Sequence, residues 1–479
     1  MAGPGDLGST GWIRAGELEE RTRAAARRLQ GHGVGPGDRV LWSAQRSAES
    51  VVAALGILRL GSILVPVNPE ITGRELRHVV SDVEPRLAVA DEPAPGVDRV
   101  VESLADLANG RGGVPAVGAA IPEAHTGLAA ANTSALDEAG GSDLALVVYT
   151  SGTTGRPKGA MLTHANLGAG VSSLIEAWHW TPADRLALAL PLFHVHGLVA
   201  GLFGSLASGG SVVVFPRFDP GEVLASPERH GATMFFGVPT MYHRLVATEG
   251  VERLGALRLC VSGSAALPAE LWSEVRRRTG VAVLERYGMT ETLLTMSNPY
   301  EGERRPGTVG FPLPGARSTL APDGELLVAG PTVFAGYWRQ PDATAACYEG
   351  EWFRTGDLAR LDDGYLVIRG RAKELIISGG YNVYPAEVED VLSQHADVAE
   401  VAVAGLPSKE WGETVAAWVV PTAGAAASPE GASSLSSRLK EFAAAQLAPY
   451  KCPREVHVVA ALPRNALGKI QRHELARPR

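Results

Sequence analysis

Hydrophobic and polar residues along the first part of the chain follow a helix–strand rhythm. Ala15 to Gln30 carries charged and apolar residues at helical spacing and predicts a helix. Gly33-Val34-Gly35-Pro36-Gly37-Asp38 predicts a turn, Arg39 to Ser43 a strand, Ser47 to Leu60 a helix and Ile63 to Val67 a buried strand. Alternation of this kind implies parallel sheets covered by helices. Glu92 to Ser142 is rich in Ala, Gly and Pro and weakly periodic, which predicts surface loops and short elements. The rhythm resumes with a buried strand at Leu144 to Val148. It continues through Asp184 to Leu190, Gly197 to Ala207 (a buried helix), Ser211 to Phe215, Thr233 to Val238 and Leu257 to Ser262.

From Gly307 to Ile368 the pattern changes to short β runs dense in Gly and Pro, which predicts a small β subdomain. Beyond Gly370-Arg371-Ala372-Lys373 a compact α+β pattern begins. It comprises a strand at Leu375 to Ile377, a helix from Pro385 to Gln394, strands at Val398 to Ala404 and Glu413 to Val420, a linker from Thr422 to Ser434, a helix from Ser437 to Gln446, and Lys451 to Val459. The expected fold class is therefore α/β, with a large first domain over residues 1–370 and a small α+β domain over 374–479.

Composition narrows the partners. The chain has 479 residues, too many for one core, and a formal net charge of −8, which argues against nucleic acid as a partner. Cys260, Cys347 and Cys452 lie far apart, without disulfide or zinc spacing, which fits a reducing cytoplasm. The opening segment lacks a basic stretch followed by an apolar one, so no signal peptide is expected. Leu186 to Phe215 holds no Asp, Glu, Lys or Arg and exceeds the roughly 20 residues of a spanning helix. Pro191, His194, His196 and the Ser208-Gly209-Gly210 turn interrupt it, so a strand, a loop, a buried helix and another strand explain it better than a membrane span.

The densest chemistry follows the strand at Leu144. Thr150, Ser151, Gly152, Thr153, Thr154 and Gly155, closed by Pro157-Lys158-Gly159, form a run of hydroxyls, glycines and one ammonium. Glycine lets backbone N–H groups approach a ligand, and successive N–H groups make a concavity for anions. The run reads as a phosphate-gripping loop. It is not the P-loop motif, in which a Lys-Ser/Thr pair follows the second glycine. Downstream, Arg286-Tyr287-Gly288-Met289-Thr290-Glu291 follows a strand at Val281 to Leu284 and offers an aromatic face, a hydroxyl and a carboxylate suited to Mg²⁺. Asp357, in WFRTGD, and Arg371 suit ribose hydroxyls, and Lys469 sits on a Gly-preceded loop, PRNALGK.

In this order, YTSGTTGRPKG, RYGMTE, YWRQPDAT, WFRTGD, GRAKELIISGGYNVYPAEVE and PRNALGKIQR resemble the adenylate-forming superfamily of acyl-CoA synthetases, firefly luciferases and peptide-synthetase adenylation domains, from about Ala15 to Arg472. The resemblance implies two half-reactions. A carboxylate first attacks the α-phosphate of ATP, giving an acyl-adenylate and pyrophosphate. The thiol of coenzyme A then displaces AMP.

Carried over by position, Thr150 to Lys158 would hold the β and γ phosphates, Thr290 would touch the α-phosphate, and Glu291 would bind Mg²⁺. Tyr287 would flank the adenine, Asp357 and Arg371 would bond the ribose, and Lys469 would bridge the α-phosphate and the substrate carboxylate. The C-terminal domain would swivel about residues 371–373, with the pivot at Lys373, and bring Ser378, Gly379 and Gly380 to the pantetheine arm.

The acid is expected to lie beside the helix after His194, the Val261 to Ser264 segment and the strand ending at Arg286. No aspartate stands in Pro191 to Gly197 to pair with an amino group. Arg286 needs an anionic partner, because an unpaired buried charge is costly. The expectation is that Arg286, with His196 and Ser262 or Ser264, binds a second substrate carboxylate, with His194 as an entrance gate. The alternative is that Arg286 pairs with Glu285 or another protein acid. The chain looks most like malonyl-CoA synthetases, which take malonate and often methylmalonate. Other expectations are a CoA ligase for a short or aryl monocarboxylate, or an adenylating enzyme that loads a carrier protein. Lys469 could also be an acylation target, and Lys451, Arg454 and Arg472 are candidate CoA contacts.

Overall fold

The computed structural model describes residues 12–71, 73–90, 101–102, 107–108, 135–150, 157–378, 381–408, 411–425, 428–465 and 469–475. The chain packs as two compact units, one of residues 1–318 and 328–353, the other of residues 319–327 and 354–479.

Two seven-stranded sheets organise the first unit. One runs in the order Gly336–Tyr337, Lys158–Thr163, Leu144–Thr150, Ile63–Val67, Arg39–Ser43, Leu87–Val89, Val101–Glu102. The other runs Phe311–Pro312, Leu293–Ser297, Leu284–Met289, Leu259–Ser262, Met234–Gly237, Arg185–Leu188, Ser211–Val214. The strands expected from the α/β rhythm pair in parallel, as its crossover helices require. The hairpin arms that follow the sequence motifs pair antiparallel.

Side chains alternate across the second sheet. Phe235 joins a core with Val213, Val223, Tyr242, Cys260 and Trp272. Phe236, one residue on, meets Trp178 and Trp180 edge-to-face at 5.3 and 5.5 Å.

The second unit centres on a sheet in the order Tyr381–Val383, Ile376–Ser378, Gly412–Pro421, Val398–Ser408, with Glu455–Val458 parallel to Gly412–Pro421. Helices Pro385–Ser393 and Pro429–Ala444 bury Val388, Leu392, Leu435 and Leu439 with Val403, Val415 and Val419.

Three local expectations change. The last six residues of the segment read as a linker, 429–434, open a helix, Pro429–Ala444: the Ser428 hydroxyl accepts from Gly431 N at 3.1 Å, and Pro429 stands at a first-turn position. The helix expected at Gly197 to Ala207 is π-helical over His196–Phe203 and α-helical only over Gly204–Ala207. RYGMTE does not follow a strand; Arg286 to Met289 lie within the strand Leu284–Met289. Among the described residues no helix is long and apolar enough to cross a membrane.

Candidate active site

The phosphate-loop motif sits at the end of an antiparallel hairpin. Leu144–Thr150 pairs with Lys158–Thr163, and the last pair is Thr150 with Lys158. Ser151 to Gly155 lie outside the described residues. The arms are fixed from behind: the Tyr149 hydroxyl donates to Asp82 Oδ2 at 2.6 Å, and Trp338 N donates to Gly159 O at 2.7 Å. Burial, then the bond to Asp82, raise the Tyr149 pKa, so its proton stays in that bond. Lys158 Nζ lies over the Tyr337 ring, 4.9 Å from its centre.

A second hairpin, Leu284–Met289 with Leu293–Ser297, carries Tyr287, Thr290 and Glu291. Its turn is tight: a Cβ on Gly288 would lie 1.9 Å from Leu293 O, so only glycine fits. Thr290 and Glu291 are buried. Glu291 Oε1 accepts from the Tyr337 hydroxyl at 2.9 Å, and Phe334 N donates to Glu291 O at 2.8 Å. Among the described residues no cluster of three or more His, Cys, Asp or Glu could cage a metal. One oriented, buried carboxylate is the donor set that Mg²⁺ uses when substrate phosphates supply the remaining ligands, so the site fits that ion.

Arg286 begins the same motif and is 5% exposed. Its Nε and Nη2 are buried with no hydrogen-bond partner among the described residues, as are Ser262 Oγ and His196 Nε2. The Arg286 head lies against Gly263, where an added Cβ would come within 2.4 Å of Nε and Cζ. Burial pushes the Arg286 pKa down to about 9, which still leaves it cationic at neutral pH.

His196 stacks on Phe236 at 6.3 Å, and its Nδ1 is 3.4 Å from Ser264 Oγ. Burial, then the charges of Arg286 and His194, hold its pKa well below the usual histidine range, so the ring is neutral. Ser264 adopts φ +69°, a left-handed conformation that costs a non-glycine residue energy. His194 is half-buried, with its ring 5.5 Å from that of Phe193.

Glu285 does not neutralise Arg286. Its Oε1 accepts from Leu267 N at 3.0 Å, and burial pushes its pKa up to about 8. The alternative pairing of Arg286 with Glu285 is therefore absent among the described residues. Sequence reasoning missed the aromatic wall behind this cluster: Trp178, whose Nε1 donates to Ser297 Oγ at 3.0 Å, with Trp180 and Phe236. No motif marks those residues; the end of the helix His164–Ala177 and the strand Met234–Gly237 bring them together.

In the second unit Asp357 and Arg371 are cross-strand partners in the hairpin Trp352–Asp362 with Tyr365–Arg371. Arg371 Nε lies 2.7 Å from Asp357 Oδ1. Asp357 is thus held on a strand. Lys373 is exposed in the short 3₁₀ turn Ala372–Glu374. Ser378 is buried and pairs with Tyr381 and Gly412; Gly379 and Gly380 lie outside the described residues. Lys469 is exposed, with its N–H donating to Asn465 Oδ1 at 3.0 Å beside the Arg464–Ile470 bridge.

Of the candidate CoA contacts, Arg472 is committed to Glu374 and Glu389 at 2.9 and 2.8 Å, and Lys451 is ion-paired with Glu387. Arg454 lies 4.0 Å from the centre of the Trp411 ring.

Comparison with known proteins gives the family. Residues 7–338 match the AMP-binding enzyme family and residues 387–469 the AMP-binding enzyme C-terminal domain. The chain belongs to this adenylate-forming family. It is an AMP-forming acid–CoA ligase.

It is 36% identical to a mitochondrial malonate–CoA ligase of Mus musculus, over 96% of this chain and 85% of that protein. It is 33% identical to a long-chain-fatty-acid–CoA ligase of Bacillus subtilis, over 93% and 86%. The crystal structure of ATP-bound MatB from Rhodopseudomonas palustris matches with a TM-score of 0.87 and 38% identity, over 98% of this chain and 94% of that one. A malonyl-CoA ligase complex with methylmalonyl-CoA and AMP matches with a TM-score of 0.64 and 42% identity, over 93% and 94%.

Proposed function

We propose that the acid is a small dicarboxylate, malonate and also methylmalonate, joined to the thiol of coenzyme A through an acyl-adenylate. The observation that carries this reading is the Arg286 head, buried and cationic, with Nε and Nη2 lacking partners among the described residues, as do Ser262 Oγ and His196 Nε2. A fork of two N–H donors matches one carboxylate, and the neutral imidazole and the hydroxyl supply further polar contacts without adding charge. An aliphatic acid tail would leave all of these groups unsatisfied, at a cost of about 1–3 kcal/mol for each. The relatives and solved structures named for malonate and malonyl-CoA support the same choice.

In the first half-reaction an oxygen of the other carboxylate attacks the α-phosphorus. The bond to the bridging oxygen breaks, and pyrophosphate leaves. Thr150 to Lys158 would hold the β and γ phosphates, and Thr290 the α-phosphate. Mg²⁺ at Glu291 would offset charge on the phosphate oxygens. Lys469 would do the same between the two anions, which are otherwise repelled. Tyr287 would flank the adenine, and Asp357 with Arg371 would hold the ribose. In the second half-reaction the CoA sulfur attacks the acyl carbon, the C–O bond to AMP breaks, and the thiol proton is released. Lys373 would be the pivot between the two steps, and Ser378 would lie along the pantetheine path.

The test is AMP release from ATP and Mg²⁺ with CoA, comparing malonate, methylmalonate and acetate. Strong release with the dicarboxylates alone is the expected result. Preference for acetate or another monocarboxylate, the reading favoured by the Bacillus relative, would keep the ligase and discard the second-carboxylate site. Release only with a carrier protein would overturn the role of CoA.

A further inference from the structure

The strand Gly336–Tyr337 pairs antiparallel with Lys158–Thr163, Tyr337 opposite Ala160. One side chain on it touches both halves of the phosphate machinery. The Tyr337 hydroxyl donates to Glu291 Oε1 at 2.9 Å, while its ring lies under Lys158 Nζ at 4.9 Å. The ring is held in turn: Phe334 meets it edge-on at 4.9 Å, and Tyr337 N donates to Thr344 Oγ1 at 2.9 Å.

A carboxylate that binds a metal through one oxygen is commonly oriented by a donor on the other. An ammonium over an aromatic face is held in direction without being neutralised, so its charge remains available to an anion. Tyr337 provides both at once, from a strand that belongs to neither motif.

We propose that Tyr337 is a positioning residue that sets the Glu291 carboxylate for Mg²⁺ and the Lys158 ammonium for the nucleotide phosphates. The inference rests on the reading of Glu291 as the Mg²⁺ ligand. Its hydroxyl and its ring have separate tasks, and the two tasks come apart under substitution. Tyr337→Phe removes the bond to Glu291 and keeps the ring; Tyr337→Leu removes both.

The experiment is calorimetric binding of a non-hydrolysable ATP analogue to the full chain, without acid or CoA, as a function of Mg²⁺ and in EDTA. Thermal melts establish that each variant is folded. Tyr337→Phe is expected to need about ten-fold more Mg²⁺ for half-maximal enhancement, with binding in EDTA unchanged. Tyr337→Leu is expected to weaken binding in EDTA as well, by about three-fold. Glu291→Gln separates the two claims. If it raises the Mg²⁺ requirement and Tyr337→Phe does not, the role of Tyr337 is overturned. If Glu291→Gln itself leaves the requirement unchanged, the assignment of Glu291 fails first, and the inference with it. Equal loss for Tyr337→Phe with and without Mg²⁺ would mark Tyr337 as a packing residue only.

Discussion

Glu285 and Arg286 are consecutive residues of opposite charge on one strand, and they do not pair. Strand geometry sends successive side chains to opposite faces. Glu285 turns toward Leu267, and Arg286 lies against Gly263. Each charge is therefore left to its own surroundings, and each shows the cost: burial raises the Glu285 pKa to about 8 and lowers that of Arg286 to about 9. Among the described residues Arg286 Nε and Nη2 have no partner, and such a buried cation is a liability to the fold that an anion can relieve.

Arg286→Leu should therefore separate stability from activity. Removing an unpartnered buried charge is expected to raise Tm by a few degrees. kcat/KM for malonate should fall by about 10²-fold or more. Differential scanning fluorimetry checks the first part, and malonate should stabilise the parent chain and not the variant; initial-rate kinetics with malonate varied check the second. A lower Tm for Arg286→Leu would mean that the guanidinium is internally paired.

Glu285 makes a pH prediction. Its folded-state value, about 8, lies above its ordinary 4.5, so the fold prefers the protonated acid. The stabilising contribution is complete below pH 4.5 and is lost as pH rises toward 8. Glu285→Gln keeps an acceptor for Leu267 N and cannot ionise. Its Tm relative to the parent should rise steadily between pH 5 and pH 8, by several degrees overall. A pH-independent difference would remove the assignment.

Asp357→Asn should raise the KM for ATP by about ten-fold or more and leave the KM for the acid nearly unchanged. The charge that would accept ribose hydroxyls is lost, and the ion pair with Arg371 goes with it. Initial-rate kinetics with each substrate varied in turn give the split.

Lys469→Ala should slow acyl-adenylate formation by about 10²–10³-fold, the usual cost of removing a cation from a transition state. Thioester formation from supplied acyl-adenylate should be nearly unaffected. Rapid-quench measurement of the two half-reactions distinguishes this outcome from a general loss of folding, which would depress both.

Much of the architecture was legible because its signals are local. Parallel strands announced themselves as short apolar runs at Ile63, Leu144 and Leu257, and turns as glycine clusters. The motifs located Arg286, Glu291, Asp357 and Arg371 because each is embedded in a distinctive run. The aromatic wall was not legible. Trp178 and Phe236 are far apart in sequence and meet because the end of the helix His164–Ala177 packs on the strand Met234–Gly237. The helix start at Ser428-Pro429 was passed over inside an Ala/Gly-rich run, although the capping pair was present. Tyr337 was visible only as one letter of YWRQPDAT; its hydroxyl's partner could not be read without coordinates.

The π-helical segment His196–Phe203 holds a spare residue relative to an α-helix. Losing one residue between Gly197 and Phe203 would let the backbone return to α-helical pitch while the flanking turns keep their register, so a three-nucleotide deletion that would disrupt an ordinary helix should be tolerated here.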